Sequence, residues 1–232
     1  MKSKRGRLYG VGVGPGDPEL LTLKALRVIE ENQVICIPNK NIHESVAYRI
    51  VKGAYENIDS KDLLSIDMPM TKDSNLMEEY HNIAAEKIKS CLDQGQNVVF
   101  LTLGDPCIYS TYMYIHNRIS QDGYETEIVN GIPSFCAASS AINIGLVEKS
   151  EALHIIPATF KVDNLEDEIE LGGTKVFMKS GKSLSRVKEA IAHRHKRAYM
   201  VENCGMDDER IYEDVNNMPD EGSYYSILIV KD

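Results

Sequence analysis

Two short stretches, GVGVGPGDP at residues 10–18 and TLGDP at 102–106, carry the residues best suited to chemistry at a turn. Each joins glycines, which let backbone approach a ligand closely, to an aspartate and a proline. A glycine-rich turn leading into a helical pattern first suggests a dinucleotide site, whose fingerprint needs glycines at i, i+2 and i+5. From Gly10 the third position is Pro15, and from Gly12 it is Asp17. The mismatch is chemical, because a pyrophosphate seeks free backbone N–H groups at a helix N-terminus. Proline lacks that donor and aspartate repels phosphate. SGKS at 180–183 fails as a phosphate loop too, since Val176 stands where the motif needs glycine.

A carboxylate-bearing loop poor in phosphate donors suits a cofactor without phosphate. S-adenosylmethionine is one: adenosine, an amino acid and a cationic sulfonium. Asp105 would favour that cation or hydrogen-bond the ligand.

The elements around these loops read as alternating strands and helices. RLYGVGV, QVICIP, LLSIDMP and NVVFLTL are strand-like. Between them, residues 18–31 place Leu21, Ala25, Val28 and Ile29 on one helical face, with Asp17 as N-cap and Pro18 at the first position. Residues 45–54 read as a weaker helix, and Ser74 to about Asp93 as a long one stopped at Gly95. Such alternation predicts an α/β fold with a parallel sheet and helices on both faces, whose ligands bind beyond the carboxyl ends of the strands. Both glycine loops sit at such ends. After the turn signal QDG the texture changes to YETEIVN, ALHIIPAT, TKVFMKS, RAYMVEN, ERIYEDV and YYSILIV, with one clear helix at 183–195. This predicts two domains, 1–118 and 119–232, the second an α/β domain with a mixed sheet.

Composition narrows the class. With 232 residues the chain can bury a substantial core, and 43% hydrophobic with 26% charged residues is ordinary for a globular enzyme. A net charge of −9 argues against general nucleic-acid binding. No apolar run is long enough to span a membrane, and the basic start lacks an apolar signal segment, so a cytoplasmic protein is expected. Five cysteines without a C-x-x-C pair predict reduced, mostly buried thiols, Cys107 included. His193 and His195 in HRHKR stand two apart on a helix, on different faces, so no protein-bound metal is expected.

GVGVGPGDPELLTLKA (10–25), LTLGDPCIYSTYMYI (101–115), GIPSFCAAS (131–139) and VFMK (176–179) resemble, in order and spacing, the tetrapyrrole methylases. These are S-adenosylmethionine-dependent enzymes of cobalamin and sirohaem biosynthesis. LGDPCIYSTYMYI with GIPSFCAAS resembles most the members that act at C-20 of precorrin-2 or its cobalt complex, cobalt-factor II. Other tetrapyrrole steps stay open as alternatives, and a nucleotide-dependent oxidoreductase is disfavoured by the broken fingerprint. The resemblance implies the two-domain tetrapyrrole methylase fold, a homodimer, and a tetrapyrrole substrate. It implies that Leu103, Gly104 and Asp105 flank the cofactor's methionine and ribose, with Ile108 beside it and Pro15 closing one side. Ser134, Phe135 and Met178 would touch the other edge, and Tyr225 and Ser226 the adenine.

For the chemistry, Asp105, Tyr112 and Tyr114 are the candidate bases for a substrate proton. Tyr109, Tyr112 and Tyr114 either fill an amphipathic helix or line a flat macrocycle. Lys179, Lys182 and Arg186 are candidates to meet substrate carboxylates.

Overall fold

The structure, a computed structural model, describes residues 5–69, 71, 73–158, 165–179, 184–192, 194 and 196–232. The chain divides into two compact units, Met1–Pro133 and Ser134–Asp232, each built on its own five-stranded sheet.

The first unit runs β1 (Arg7–Gly12), α1 (Leu23–Glu31), β2 (Val34–Ile37), α2 (Val46–Ala54), β3 (Asp62–Ser65), α3 (Ser74–Asp93), β4 (Val98–Thr102), α4 (Tyr112–Gln121) and β5 (Glu125–Val129). Its strands are all parallel, in the order β3-β2-β4-β1-β5. The central strands β2 (VICI) and β4 (VVFLT) are apolar but for Thr102, because both faces are covered. Ile35, Ile37, Val99 and Leu101 point to the side of α1 and α2, where they meet Val28, Ile29 and Val51. Their neighbours Val34, Cys36, Val98 and Phe100 point to the other side and meet Ile88 and Leu92 of α3 and Ile115 and Ile119 of α4. Helices on both faces follow directly from that alternation.

Two expectations are corrected here. The single helix expected over 18–31 is broken in two. Asp17 caps only a 3-10 turn at Pro18–Leu20, its carboxylate accepting from the Glu19 N–H at 2.8 Å. The chain then extends through Leu21, and Thr22 caps α1 by accepting from the Ala25 N–H at 3.1 Å. Two good capping residues five positions apart favour two starts over one continuous helix. The expected domain boundary at 118/119 falls inside α4. YETEIVN forms β5, which pairs with β1 over Arg7↔Glu125 to Val11↔Val129 and belongs to the first unit. The QDG signal is the end of α4, with Gly123 at φ 79°, inside a β4–α4–β5 crossover.

The second unit runs α5 (Ser134–Ala141), β6 (Leu153–Pro157), α6 (Leu165–Glu170), β7 (Thr174–Met178), α7 (Leu184–Ala192), β8 (Arg197–Glu202), β9 (Arg210–Tyr212) and β10 (Ser226–Lys231). The sheet order is β6-β7-β10-β8-β9, with β6 and β7 parallel and the other pairs antiparallel, a mixed sheet as expected. Phe177, Met200 and Leu228 pack against Ile169 of α6 and Leu184, Val187 and Ile191 of α7.

One charged group lies wholly inside this unit. The Lys175 ammonium, on β7, is fully buried and donates to the Leu171 and Gly173 carbonyls at 2.7 and 2.6 Å and to Asp232 Oδ1 at 2.7 Å. Asp232 also accepts from Lys196 at 2.8 Å and from the Gly173 N–H at 2.7 Å. These cations, Lys175 first, hold the Asp232 carboxyl well below the usual carboxylate range. A depressed acid contributes stability above its unfolded pKa of about 3.9, and that contribution fades as pH falls through the folded value. Asp232→Asn is therefore expected to lower the melting temperature near pH 6 by roughly 2–4 °C, on the order of 1 kcal/mol for a half-exposed carboxylate. The gap to the parent should hold from pH 6 to about pH 5 and narrow below that, as the unfolded chain's carboxyl begins to take up its proton. A gap that stays constant with pH would show that the carboxylate's charge is not what Lys175 needs.

Candidate functional site

The strand order of the first unit dictates where a ligand can sit. From β1 the chain crosses over the face of α1 toward β2, whereas from β4, next to β1, it crosses over the face of α4 toward β5. Adjacent strands whose connections leave in opposite directions open a crevice at their carboxyl ends. The two loops at that point are the two glycine loops.

They are joined there by their backbones. The Gly104 N–H donates to the Gly14 carbonyl at 2.8 Å, and the Gly14 N–H returns a bond to the Gly104 carbonyl at 3.3 Å. Both residues have positive φ, 78° at Gly14 and 69° at Gly104, as this pairing demands. The loop after β5 closes on the same point. A Cβ on Gly131 would lie 2.1 Å from the Gly104 carbonyl oxygen and 2.7 Å from the Gly12 carbonyl carbon, so only glycine fits.

Asp105 fastens the third loop. Its side chain is buried, with Oδ1 accepting from the Cys107 N–H at 2.8 Å. Oδ2 accepts from the Gly131 N–H at 3.1 Å and from Asn130 Nδ2 at 3.2 Å. Three of its roughly four acceptor positions are thus taken by protein donors. The structure gives this carboxylate a clamping role between residues 103–107 and 130–131, where the sequence suggested a candidate base. Cys107 follows it and is exposed, which corrects the expectation of a buried thiol. Partial burial and then Asp105 push that thiol up, away from the reactive thiolate.

Leu103 packs on the α1–α2 side of the sheet, Pro15 is buried, and the Ile108 N–H closes a turn on the Asp105 carbonyl at 3.2 Å. These residues, with Gly104 and Asp105, all belong to the loops at the crevice. The two tyrosines named as bases do not share that setting. Tyr112 is fully buried, packed on Phe100 and over Gly10, with its hydroxyl 3.1 Å from His116 Nδ1. Burial pushes its phenol well up, so it is a core residue and a poor proton acceptor. Tyr114 lies on the outer side of α4, half exposed and stacked on His81 of α3 at 4.9 Å.

In the second unit a separate group of candidates gathers at one end of the sheet. Met178 closes β7 opposite Ile227, and Ser226 opens β10 opposite Glu202, which closes β8. The buried Glu202 carboxylate accepts from the Ser223 N–H at 2.7 Å and from Ser226 Oγ at 3.2 Å through Oε1. Its Oε2 accepts from the Tyr212 hydroxyl at 3.3 Å, and the Tyr225 N–H is held by Ser223 Oγ at 3.1 Å. Glu202 thus shapes the loop carrying Tyr225 and Ser226, a role the sequence did not reveal. Ser134 and Phe135 start α5, which packs on β10 and β8, where the sequence suggested only a turn. Lys182, His193, His195 and the SGKS segment lie outside the described residues. Lys179 and Arg186 are described, at the end of β7 and in α7. Among the described residues, no group of three or more His, Cys, Asp or Glu side chains could hold a metal ion. No helix of the described residues is long and apolar enough to cross a membrane.

A parallel α/β unit with glycine loops at its switch point, followed by a mixed-sheet α/β unit, is a two-unit α/β architecture whose first unit has the place where such sheets take small molecules. The chain belongs to the tetrapyrrole (corrin/porphyrin) methylases, whose family model matches residues 7–216. It is 36% identical over 230 residues to a probable cobalt-precorrin-2 C(20)-methyltransferase of Methanocaldococcus jannaschii, covering 97% of this chain and 96% of that one. It is 29% identical over 237 residues to a precorrin-2 C(20)-methyltransferase of a Sinorhizobium species, covering 97% and 95%. Among solved structures, the fold is similar to that of a cobalt precorrin-4 methyltransferase, with a TM-score of 0.77 at 20% identity over 97% of this chain and 94% of that one.

The loop junction generates a direct test. Gly131→Ala must displace backbone, and is expected to cost about 1–3 kcal/mol or more. Asp105→Asn leaves at least one buried donor without an acceptor and should cost about 1–3 kcal/mol. Gly172→Ala, which meets nothing within 4 Å, should stay within about 0.5 kcal/mol of the parent. Urea denaturation of the three variants checks this ranking; equal stabilities for Gly131→Ala and Gly172→Ala would contradict it.

Proposed function

We propose that this chain transfers a methyl group from S-adenosylmethionine to C-20 of precorrin-2 or cobalt-factor II in cobalamin biosynthesis. The observation that carries the reading is the chemistry of the first glycine loop. The donor that a pyrophosphate would take, the Glu19 N–H, is already used by the Asp17 carboxylate, and Pro15 and Pro18 have none to offer. A dinucleotide is disfavoured there, and a cofactor bearing a cationic sulfonium and no phosphate is not. Similarity over nearly the full length to relatives named for C-20 methylation supports the substrate. One of those names includes cobalt and the other does not, so both forms of the substrate belong to the reading.

Methyl transfer from a sulfonium is an in-line displacement in which the leaving thioether departs neutral and needs no acid. The meso carbon C-20 is electron-rich through its neighbouring pyrrole-type nitrogens and acts as nucleophile, and the C-20 proton is afterwards released to water. The protein's contribution is then chiefly to hold the two reactants in line, which can lower a barrier by roughly 7–11 kcal/mol. In this reading the backbone of Leu103, Gly104 and Asp105, with Pro15 and Ile108, meets the cofactor. In the second unit, Ser134, Phe135, Met178, Tyr225 and Ser226 stay the candidates for cofactor contact that the family resemblance implies. Lys179, Lys182 and Arg186 remain the candidates to meet the substrate's carboxylates. A cytoplasmic homodimer without a metal of its own completes the reading, any cobalt arriving with the substrate.

Thermal unfolding with S-adenosylhomocysteine, NAD or NADP separates the classes. A ligand at about 100 times its Kd stabilises the native state by roughly 2.7 kcal/mol, several degrees for a chain of this size. A rise with S-adenosylhomocysteine alone is expected, followed by methylation at C-20 when precorrin-2 or cobalt-factor II is supplied. A rise with NAD alone would overturn the cofactor, and methylation at another carbon would overturn the position.

A further inference from the structure

We propose that Asn130 is a deamidation site held in check by Asp105, and that the modification, once made, keeps the loop junction from closing. Asn130 is the one asparagine of the chain that glycine follows. With no Cβ beside it, the next amide nitrogen is unobstructed, and such pairs cyclise readily in unfolded chains. The Gly131 nitrogen loses its proton and bonds to Asn130 Cγ, the Cγ–Nδ2 bond breaks, and Nδ2 leaves as ammonia with that proton. Water then opens the succinimide to aspartate or isoaspartate, and no other reagent is needed. The chain cannot escape this chemistry by exchanging Gly131, because a Cβ there would lie 2.1 Å from the Gly104 carbonyl oxygen. Asn130 itself is exposed, so water and base reach its amide.

Both reacting groups are held by one oxygen. Asp105 Oδ2 accepts from the Gly131 N–H at 3.1 Å and from Asn130 Nδ2 at 3.2 Å. Removing the Gly131 proton would put negative charge on a nitrogen that faces a buried carboxylate, and that proximity opposes it. Ring closure must also turn the Asn130 amide out of its bond and shift the backbone at 130–131. That backbone has no slack, since it lies against Gly12 and Gly104. The clamped state is therefore unreactive, and the reaction waits on local opening of the junction. Its products do not fit the clamp. Aspartate at 130 replaces the Nδ2 donor with a second carboxylate beside Asp105, and like charges so placed repel. Isoaspartate lengthens the main chain by one carbon just before Gly131, where the loops meet. Either product works against closure of the third loop on the other two.

Full-length parent, Asp105→Asn and Ile88→Val, with a free peptide of residues 126–134, are kept in mildly alkaline buffer. Conversion at Asn130 is followed by mass spectrometry of proteolytic fragments. The parent is expected to deamidate at least about tenfold more slowly than the peptide. Asp105→Asn should convert roughly fivefold or more faster than the parent. Ile88→Val thins the core between α3 and the sheet, lowering global stability without touching the junction, and should stay within about twofold of the parent. Asn130→Asp, the product made directly, should melt roughly 2–4 °C below the parent. A parent that converts at the peptide's rate, or an Asp105→Asn rate no higher than the parent's, overturns control by Asp105. Equal acceleration in Ile88→Val and Asp105→Asn assigns the reaction to global unfolding and overturns it as well. An Asn130→Asp protein that melts with the parent overturns the claim that the product keeps the junction open.

Discussion

The first unit depends on three backbone segments meeting at one point with no side chains between them. Gly12 ends β1, Gly104 and Gly131 come from the loops after β4 and β5, and a Cβ on Gly12 or Gly131 would press on the backbone of its neighbours. The topology demands this contact, because the three strands are adjacent and their connections diverge to opposite faces of the sheet. Peptide groups of three loops are thereby brought together at the carboxyl ends of the strands. A surface of peptide groups recognises polar edges and does so without the entropy of long side chains. In the proposed reading, the junction both holds the fold together and shapes the surface that meets the cofactor.

Both units hold such loops with buried carboxylates. Asp105 takes N–H groups from two loops of the first unit, and Glu202 takes those of the loop entering β10 in the second. A buried carboxylate is tolerable only where donors replace its water, and here the Cys107, Gly131 and Ser223 amides do so together with the Asn130, Ser226 and Tyr212 side chains. Fastening of this kind is rigid and directional, which suits a site whose chemistry is mainly alignment. At Asp105 it also changes the role assigned to the residue: an acid whose oxygens are committed to the protein is suited to holding the site, and less to moving a proton.

The elements legible in the sequence were those with a strong period. The parallel sheet, α3 with its stop at Gly95, and the strands of the second unit all show their alternation or helical face directly. Less legible was anything decided by distant partners. The assignment of β5 to the first unit depends on pairing with β1, more than a hundred residues earlier, which local pattern does not carry. Tyr112 looked like a site residue by its place after GDP, but its burial depends on the absence of a side chain at Gly10. Glu202 ends an ordinary strand and gains its role only through Ser223, Ser226 and Tyr212. The glycine loops stood out in sequence as ligand-binding turns, whereas their mutual bonds needed coordinates.

Amide hydrogen exchange, resolved by residue and measured with and without S-adenosylhomocysteine, tests the central claim that this backbone junction is a preformed ligand surface. The account predicts that the Gly104 and Gly131 amides, bonded to the Gly14 carbonyl and to Asp105, are already protected in the free protein. It predicts further slowing on ligand binding within residues 12–17 and 103–108. Exchange of those two amides near the unprotected rate in the free protein, or ligand-induced protection confined to other segments, would contradict it.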